Sequence, residues 1–179
     1  MKRTSRIALA LLALVSTSSW AQETYFGKNK VRYKGFEWNY IQTRHFDIHF
    51  YEDAYATSKF AATVMESAYV EISRELGYLI QRRVPVFIYN SHNDFQQTNI
   101  IPSLIPEGVG GFTEAFKNRI VIPFTGSYED FRHVLHHELT HAVVYDLIYG
   151  GALSSLLSRQ RLFLLPLWFA EGYAEYSSR

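Results

Sequence analysis

"HHELTH", His136 to His141, sets two histidines, His137 and His141, four positions apart with Glu138 between them. On an α-helix, positions four apart lie one turn apart on the same face. Two imidazoles at this spacing can face one ion, and Glu138 reaches a water on that ion without being a ligand itself. This is the physical content of an H-E-x-x-H motif. A site of this kind takes neutral imidazoles and a carboxylate and leaves a position open for water. The ion lowers the pKa of that water and polarises a carbonyl. The plain alternative is a helix with packed or solvated histidines.

The flanks of the motif read as a helix. Ser127 is a suitable N-cap, and Glu129 and Asp130 favour the first turn. The pattern runs to about Tyr149 and stops at Gly150-Gly151. A third ligand is expected from a later helix, and "PLWFAEGYAEY", Pro166 to Tyr176, supplies candidates. Pro166 suits a first helical turn, and the helix is predicted over 167–177. Glu171 sits among Trp168, Phe169 and Tyr173, where a merely solvated role is a poor explanation. Glu175 is one turn on and shares the face of Glu171.

Upstream, Asn39 to Tyr51 alternates Phe46, Ile48 and Phe50 with His45, Asp47 and His49, which predicts one half-buried strand. Asp53 to Leu76 carries Phe60, Val64, Ala68 and Ile72 at helical spacing and ends at Gly77. "VPVFIY", Val84 to Tyr89, suits a central strand, and Asn90 to Asp94 reads as a turn. Gly110–Phe116 and Arg119–Phe124 read as the arms of a hairpin turning near Lys117-Asn118. The order strand, helix, strand, hairpin, helix, helix predicts an α+β fold. A small mixed or antiparallel sheet packs on the motif helix and on the ligand helix that follows.

The chain has 179 residues, 47% of them hydrophobic and 20% charged, enough for one compact domain. It has no cysteine, which excludes a thiolate nucleophile, a disulfide framework and a cysteine zinc finger. Lys2, Arg3 and Arg6 precede an unbroken apolar run from Ile7 to Val15, and Ser19-Trp20-Ala21 fits a signal-peptidase site before Gln22. The run is too short to span a bilayer. Residues 1–21 are therefore predicted to be a signal peptide, 22–38 an entry segment and 39–179 the domain, exported to the periplasm or beyond a bacterial cell. Without the three leader cations, 15 basic residues face 17 acidic ones, a net −2. Nucleic acid and anionic membranes are not the expected partners.

"HELTH" followed by "LWFAEGYAEY" resembles the gluzincin zinc metallopeptidases, specifically the peptidase MA-like domains of exported bacterial proteins. The resemblance covers residues from Asn39 onward, and its specific part lies in the two helices. It implies a zincin-like fold, one zinc ion held by His137, His141 and Glu171, and Glu138 as general base in peptide hydrolysis. It implies that Glu175 orients a ligand histidine, a role with a sound physical basis. The resemblance further implies that an edge strand pairs with the backbone of a peptide or protein substrate. "GGFTEAF", with Gly110, Gly111, Phe112 and Thr113, is the matching stretch, and its glycines allow another chain to come close.

Tyr145, one turn past His141, and Tyr173 are candidate donors to an oxyanion. The gap from His141 to Glu171 exceeds the compact gluzincin spacing, and the extra length falls in Gly150 to Leu165, read as a lid, a wall of the cleft or a docking surface. The resemblance also implies that the cleft is completed beyond Arg179. Related exported proteins often continue into a β-propeller. The competing reading is a zincin-like binding or assembly module that keeps zinc without catalysis. His133 is one turn before His137 and shares its face, His136 points about 100° away, and His45 and His49 read as exposed.

Overall fold

The computed structural model describes residue 30 and residues 33–101, 104–115, 117–150 and 165–179. The leader (1–21), nearly all of the stretch 22–32 and the candidate lid up to residue 164 lie outside the described residues. The fold is α+β, as the element order predicts. Five strands form one mixed sheet: β1 (Trp38–Gln42), β2 (Phe46–Tyr51), β3 (Val84–Tyr89), β4 (Phe112–Glu114) and β5 (Arg119–Pro123). Their order is β1-β2-β3-β5-β4. The inner pairs β2/β3 and β3/β5 are parallel, and the outer pairs β1/β2 and β4/β5 are antiparallel.

The predicted single strand over 39–51 is two strands. The chain reverses at Thr43–His45, where Thr43 N donates to the Phe46 carbonyl at 2.8 Å, and β1 returns along β2 with Tyr40 opposite His49. The alternation read there, from His45 to Phe50, belongs to β2, whereas β1 is an exposed edge strand without it. The expected turn at Asn90–Asp94 contains a one-turn helix, α2 (His92–Phe95). Ser91 caps it by accepting from Asp94 N at 3.1 Å.

Two long helices cover one face of the sheet. The first, α1 (Tyr55–Leu76), ends where Gly77 takes a left-handed conformation at φ 61°, which an L side chain rarely adopts. The second, α3 (Tyr128–Tyr149), starts at Ser127, whose hydroxyl accepts from Asp130 N at 3.2 Å. Phe46, Ile48, Val86, Ile88, Ile120 and Ile122 point from the sheet into Val64, Met65, Ile72, Leu135 and Leu139 of these helices. Each such side chain, fully buried, contributes about 1.5–3 kcal/mol. The opposite face of the sheet is sealed by Tyr51, Tyr89, Phe95, Ile105 and Val121.

The hairpin forms on shorter arms than predicted, since Gly110 and Gly111 precede β4 instead of belonging to it; Thr113 lies opposite Ile120 and Asn118 takes φ 49° in the turn. It leaves β4 at one edge of the sheet, alongside α3. The last helix, α4 (Leu167–Ser177), packs on α3 through Ala170 and Ala174, both buried. Side chains this small let the two helices approach closely.

Candidate metal centre

Helices α3 and α4 run antiparallel at their contact, so early residues of one meet late residues of the other. His133, His137 and His141 repeat every four residues along α3. Glu171 and Glu175 repeat at the same interval along α4, each one position after the alanines of the contact. The small alanines bring the glutamates up to the histidine row.

Three ligand atoms converge. His137 Nε2 and His141 Nε2 are 3.2 Å apart. Glu171 Oε2 is 3.3 Å from His137 Nε2 and 3.5 Å from His141 Nε2. Donor atoms about 2.0–2.1 Å from a tetrahedral ion stand about 3.3–3.4 Å from one another, so the triangle has the size of one face of such a site. His137, His141 and Glu171 thus form a His/Glu triad able to hold a metal ion. Burial pushes the His141 ring below its ordinary pKa against the charge of Glu171, with His137 adding to the downward push. That keeps its nitrogen unprotonated, as a ligand must be.

Glu138 is not part of this triangle; its carboxylate meets β4. Its residue is 6% exposed, and Thr113 Oγ1 lies 2.8 Å from its Oε2 and 2.9 Å from its backbone carbonyl. Burial pushes the carboxyl up to about 7; the Thr113 hydrogen bond works against this and the charge of Glu171 adds to it. A divalent cation beside it pulls the value back down. A buried carboxyl poised near neutrality is suited to taking and returning a proton.

Glu175 lies on the other edge of the His137 ring. Its Oε2 is 3.8 Å from His137 Nδ1 and 3.3 Å from His133 Nε2, while Oε1 accepts from Arg179 Nε at 2.9 Å. The two nitrogens of His137 therefore face two different glutamates. His133 and Arg179 were not assigned to this network from sequence, although the four-residue interval from His133 to His137 matches that from Glu171 to Glu175. His136 turns to Ser177 Oγ, 3.3 Å away.

The two tyrosines differ. Tyr145 stacks on His141, with ring centroids 5.6 Å apart and planes 16° apart. Burial raises its phenol pKa, as do the charges of Glu171 and Glu138, so it remains a proton donor at neutral pH. The Tyr173 hydroxyl donates instead to Glu75 of α1 at 3.3 Å. Gly110 and Gly111 lead into β4 beneath α3; a Cβ on Gly110 would stand 3.0 Å from Val134.

His45 is not simply exposed, and it does have a carboxylate partner. Its Nδ1 lies 2.7 Å from Glu66 Oε2 and its backbone N donates to Oε1 at 2.9 Å. Glu66 stands on α1, 21 residues away in sequence. His49 is half-buried and stacks on Phe87 at 4.7 Å. Among the described residues, no helix is long and apolar enough to cross a membrane. Comparison with protein-family models, curated proteins and solved structures gives no match to this chain.

Proposed function

We propose that this chain is an exported, zincin-like metallopeptidase domain of gluzincin type that hydrolyses peptide bonds, with one zinc ion on His137, His141 and Glu171. The observation that carries this reading is the triangle of ligand atoms at 3.2, 3.3 and 3.5 Å beside a buried carboxylate that is not part of it. The donor set of two imidazoles and one carboxylate, leaving a position open, is the kind that catalytic zinc takes. A zinc ion held there supplies Lewis-acid chemistry, making water acidic and polarising a carbonyl.

The chain's own residues supply the rest. Glu138 takes a proton from the attacking water on its carboxylate as the new C–O bond forms. It then delivers that proton to the peptide nitrogen as the C–N bond breaks. The Tyr145 phenol, beside His141, donates to the developing oxyanion. Glu175, beside Nδ1 of His137, holds that ring so that Nε2 stays directed at the ligand triangle. The free side of β4, paired on its other side with β5, offers backbone groups to an extended peptide substrate.

Glu138→Gln tests the reading. Zinc content and folding are expected to match wild type, while cleavage of a broad peptide library falls by at least about 10²-fold, the scale of general base catalysis. A zinc-loaded wild type that cleaves nothing, in a chain extended beyond Arg179 if the protein is longer, rejects the peptidase in favour of a zinc-retaining binding module.

A further inference from the structure

We propose that β4 is a cradle for the general base: Thr113 holds Oε2 of Glu138 while Gly111 leaves room for the side chain, so that Oε1 is the oxygen that exchanges protons. Thr113 is thus a positioning residue acting through Glu138. The proposal rests on the reading of Glu138 as base.

Two independent features, one in β4 and one at the residue just before it, meet the same side chain. Residues two apart on a strand point to one side, and Gly111 and Thr113 both face α3 while Phe112 packs in the opposite cluster. At Gly111 a Cβ would stand 3.2 Å from Glu138 Cγ, 3.0 Å from Ile122 Cγ1 and 3.2 Å from the Val121 carbonyl. A side chain there requires Ile122, Glu138 or the strand to give by a few tenths of an ångström. At Thr113 the hydroxyl lies 2.8 Å from Oε2. Among the described residues it is the one hydrogen-bond partner of that buried carboxylate.

The hydroxyl has a single proton and two acceptors in reach, both on Glu138: Oε2 and the backbone carbonyl, the latter at 2.9 Å. While the carboxylate is charged, the charge-assisted bond to Oε2 is the stronger. The β-branch of Thr113 restricts χ1, so the hydroxyl that meets Oε2 is itself held in place. A base kept in one orientation matters because small misplacements of a reacting group are costly in rate.

The test compares the full chain, zinc-loaded, as wild type, Thr113→Val and Thr113→Ser, on a quenched-fluorescent peptide library, with zinc content measured and crystal structures determined. Thr113→Val is expected to lose about 10- to 100-fold in kcat, the scale of one hydrogen bond to a charged group. KM and zinc content are expected to stay unchanged, and Thr113→Ser to recover most of kcat. The Glu138 carboxylate is expected to leave its single orientation in Thr113→Val only. If Thr113→Val does not fold, Thr113→Ala takes its place. Wild-type kcat in the hydroxyl-free variant, or an unmoved Glu138 in its crystal structure, overturns the proposal. If wild type itself cleaves nothing, the peptidase reading falls and the Glu138 orientation alone decides: displaced, it sustains the positioning role, and unmoved, it ends it.

Discussion

Glu171 Oε2 lies 3.3 Å from His137 Nε2, across 34 residues of chain. The contact joins α4 to α3 at the row of histidines, and it makes Glu171 rather than Glu175 the neighbour of both motif imidazoles. Of the two motif imidazoles Glu175 meets His137 alone, at the far edge of its ring, 3.8 Å away, and it lies closer to His133, at 3.3 Å.

Zinc retention should divide along that geometry. His137→Ala, His141→Ala and Glu171→Ala are each expected to fall well below the one zinc ion per chain of wild type, measured by plasma emission after dialysis. Full retention in Glu171→Ala transfers the third ligand to another group, with Glu175 the nearest candidate.

Glu175→Gln should behave differently. The variant keeps the ligand triangle but weakens the hold on His137 Nδ1, so zinc affinity is expected to drop about 10- to 100-fold without vanishing. Competition with a chromogenic chelator measures this, and an affinity equal to wild type removes Glu175 from the centre.

Acid stability should carry the signature of Glu66. Burial alone would raise its carboxyl pKa, but hydrogen bonds from Thr43 and from the His45 ring and backbone, with the charge of His45, outweigh it and hold the value below the ordinary range. A depressed folded value stabilises the protein fully above the unfolded pKa of about 4.3 and loses that stabilisation as pH falls through the folded value. Glu66→Gln is therefore expected to be less stable than wild type at pH 7, on the order of 1 kcal/mol. The difference should shrink as urea unfolding is repeated at progressively lower pH through the carboxylate range. A gap that does not narrow on acidification contradicts the assignment.

Export makes a prediction about mass. Material recovered from the periplasm or medium of an expressing bacterium is expected to begin at Gln22, as read by N-terminal sequencing. Protein found in the cytoplasm with Met1 or Lys2 at its start overturns the localisation.

Local signals carried much of the fold and part of the site. Ser127, Gly77, the helical spacing through Ile72 and the Lys117-Asn118 turn act within a few residues of themselves, and the elements they predict are those observed. The pairing of His137 with His141 was legible for the same reason, because one helical turn places them together whatever the rest of the chain does. The reversal at Thr43–His45 was not, since the alternation from His45 to Phe50 belongs to β2 and the exposed edge strand β1 has no burial pattern of its own to set it apart.

Contacts between elements depended on tertiary structure. That Glu66 meets His45, that Thr113 holds Glu138 and that Tyr173 turns to Glu75 follows from how α1, β4 and α4 pack against their neighbours. The sequence by itself determined which residues are the candidates for metal binding and proton transfer and which helices present them. The sequence already ranked Glu171 ahead of Glu175 as third ligand; only the tertiary structure decided that Glu171 Oε2 comes within reach of both motif imidazoles, because that depends on how Ala170 and Ala174 dock against α3 and set the register of α4.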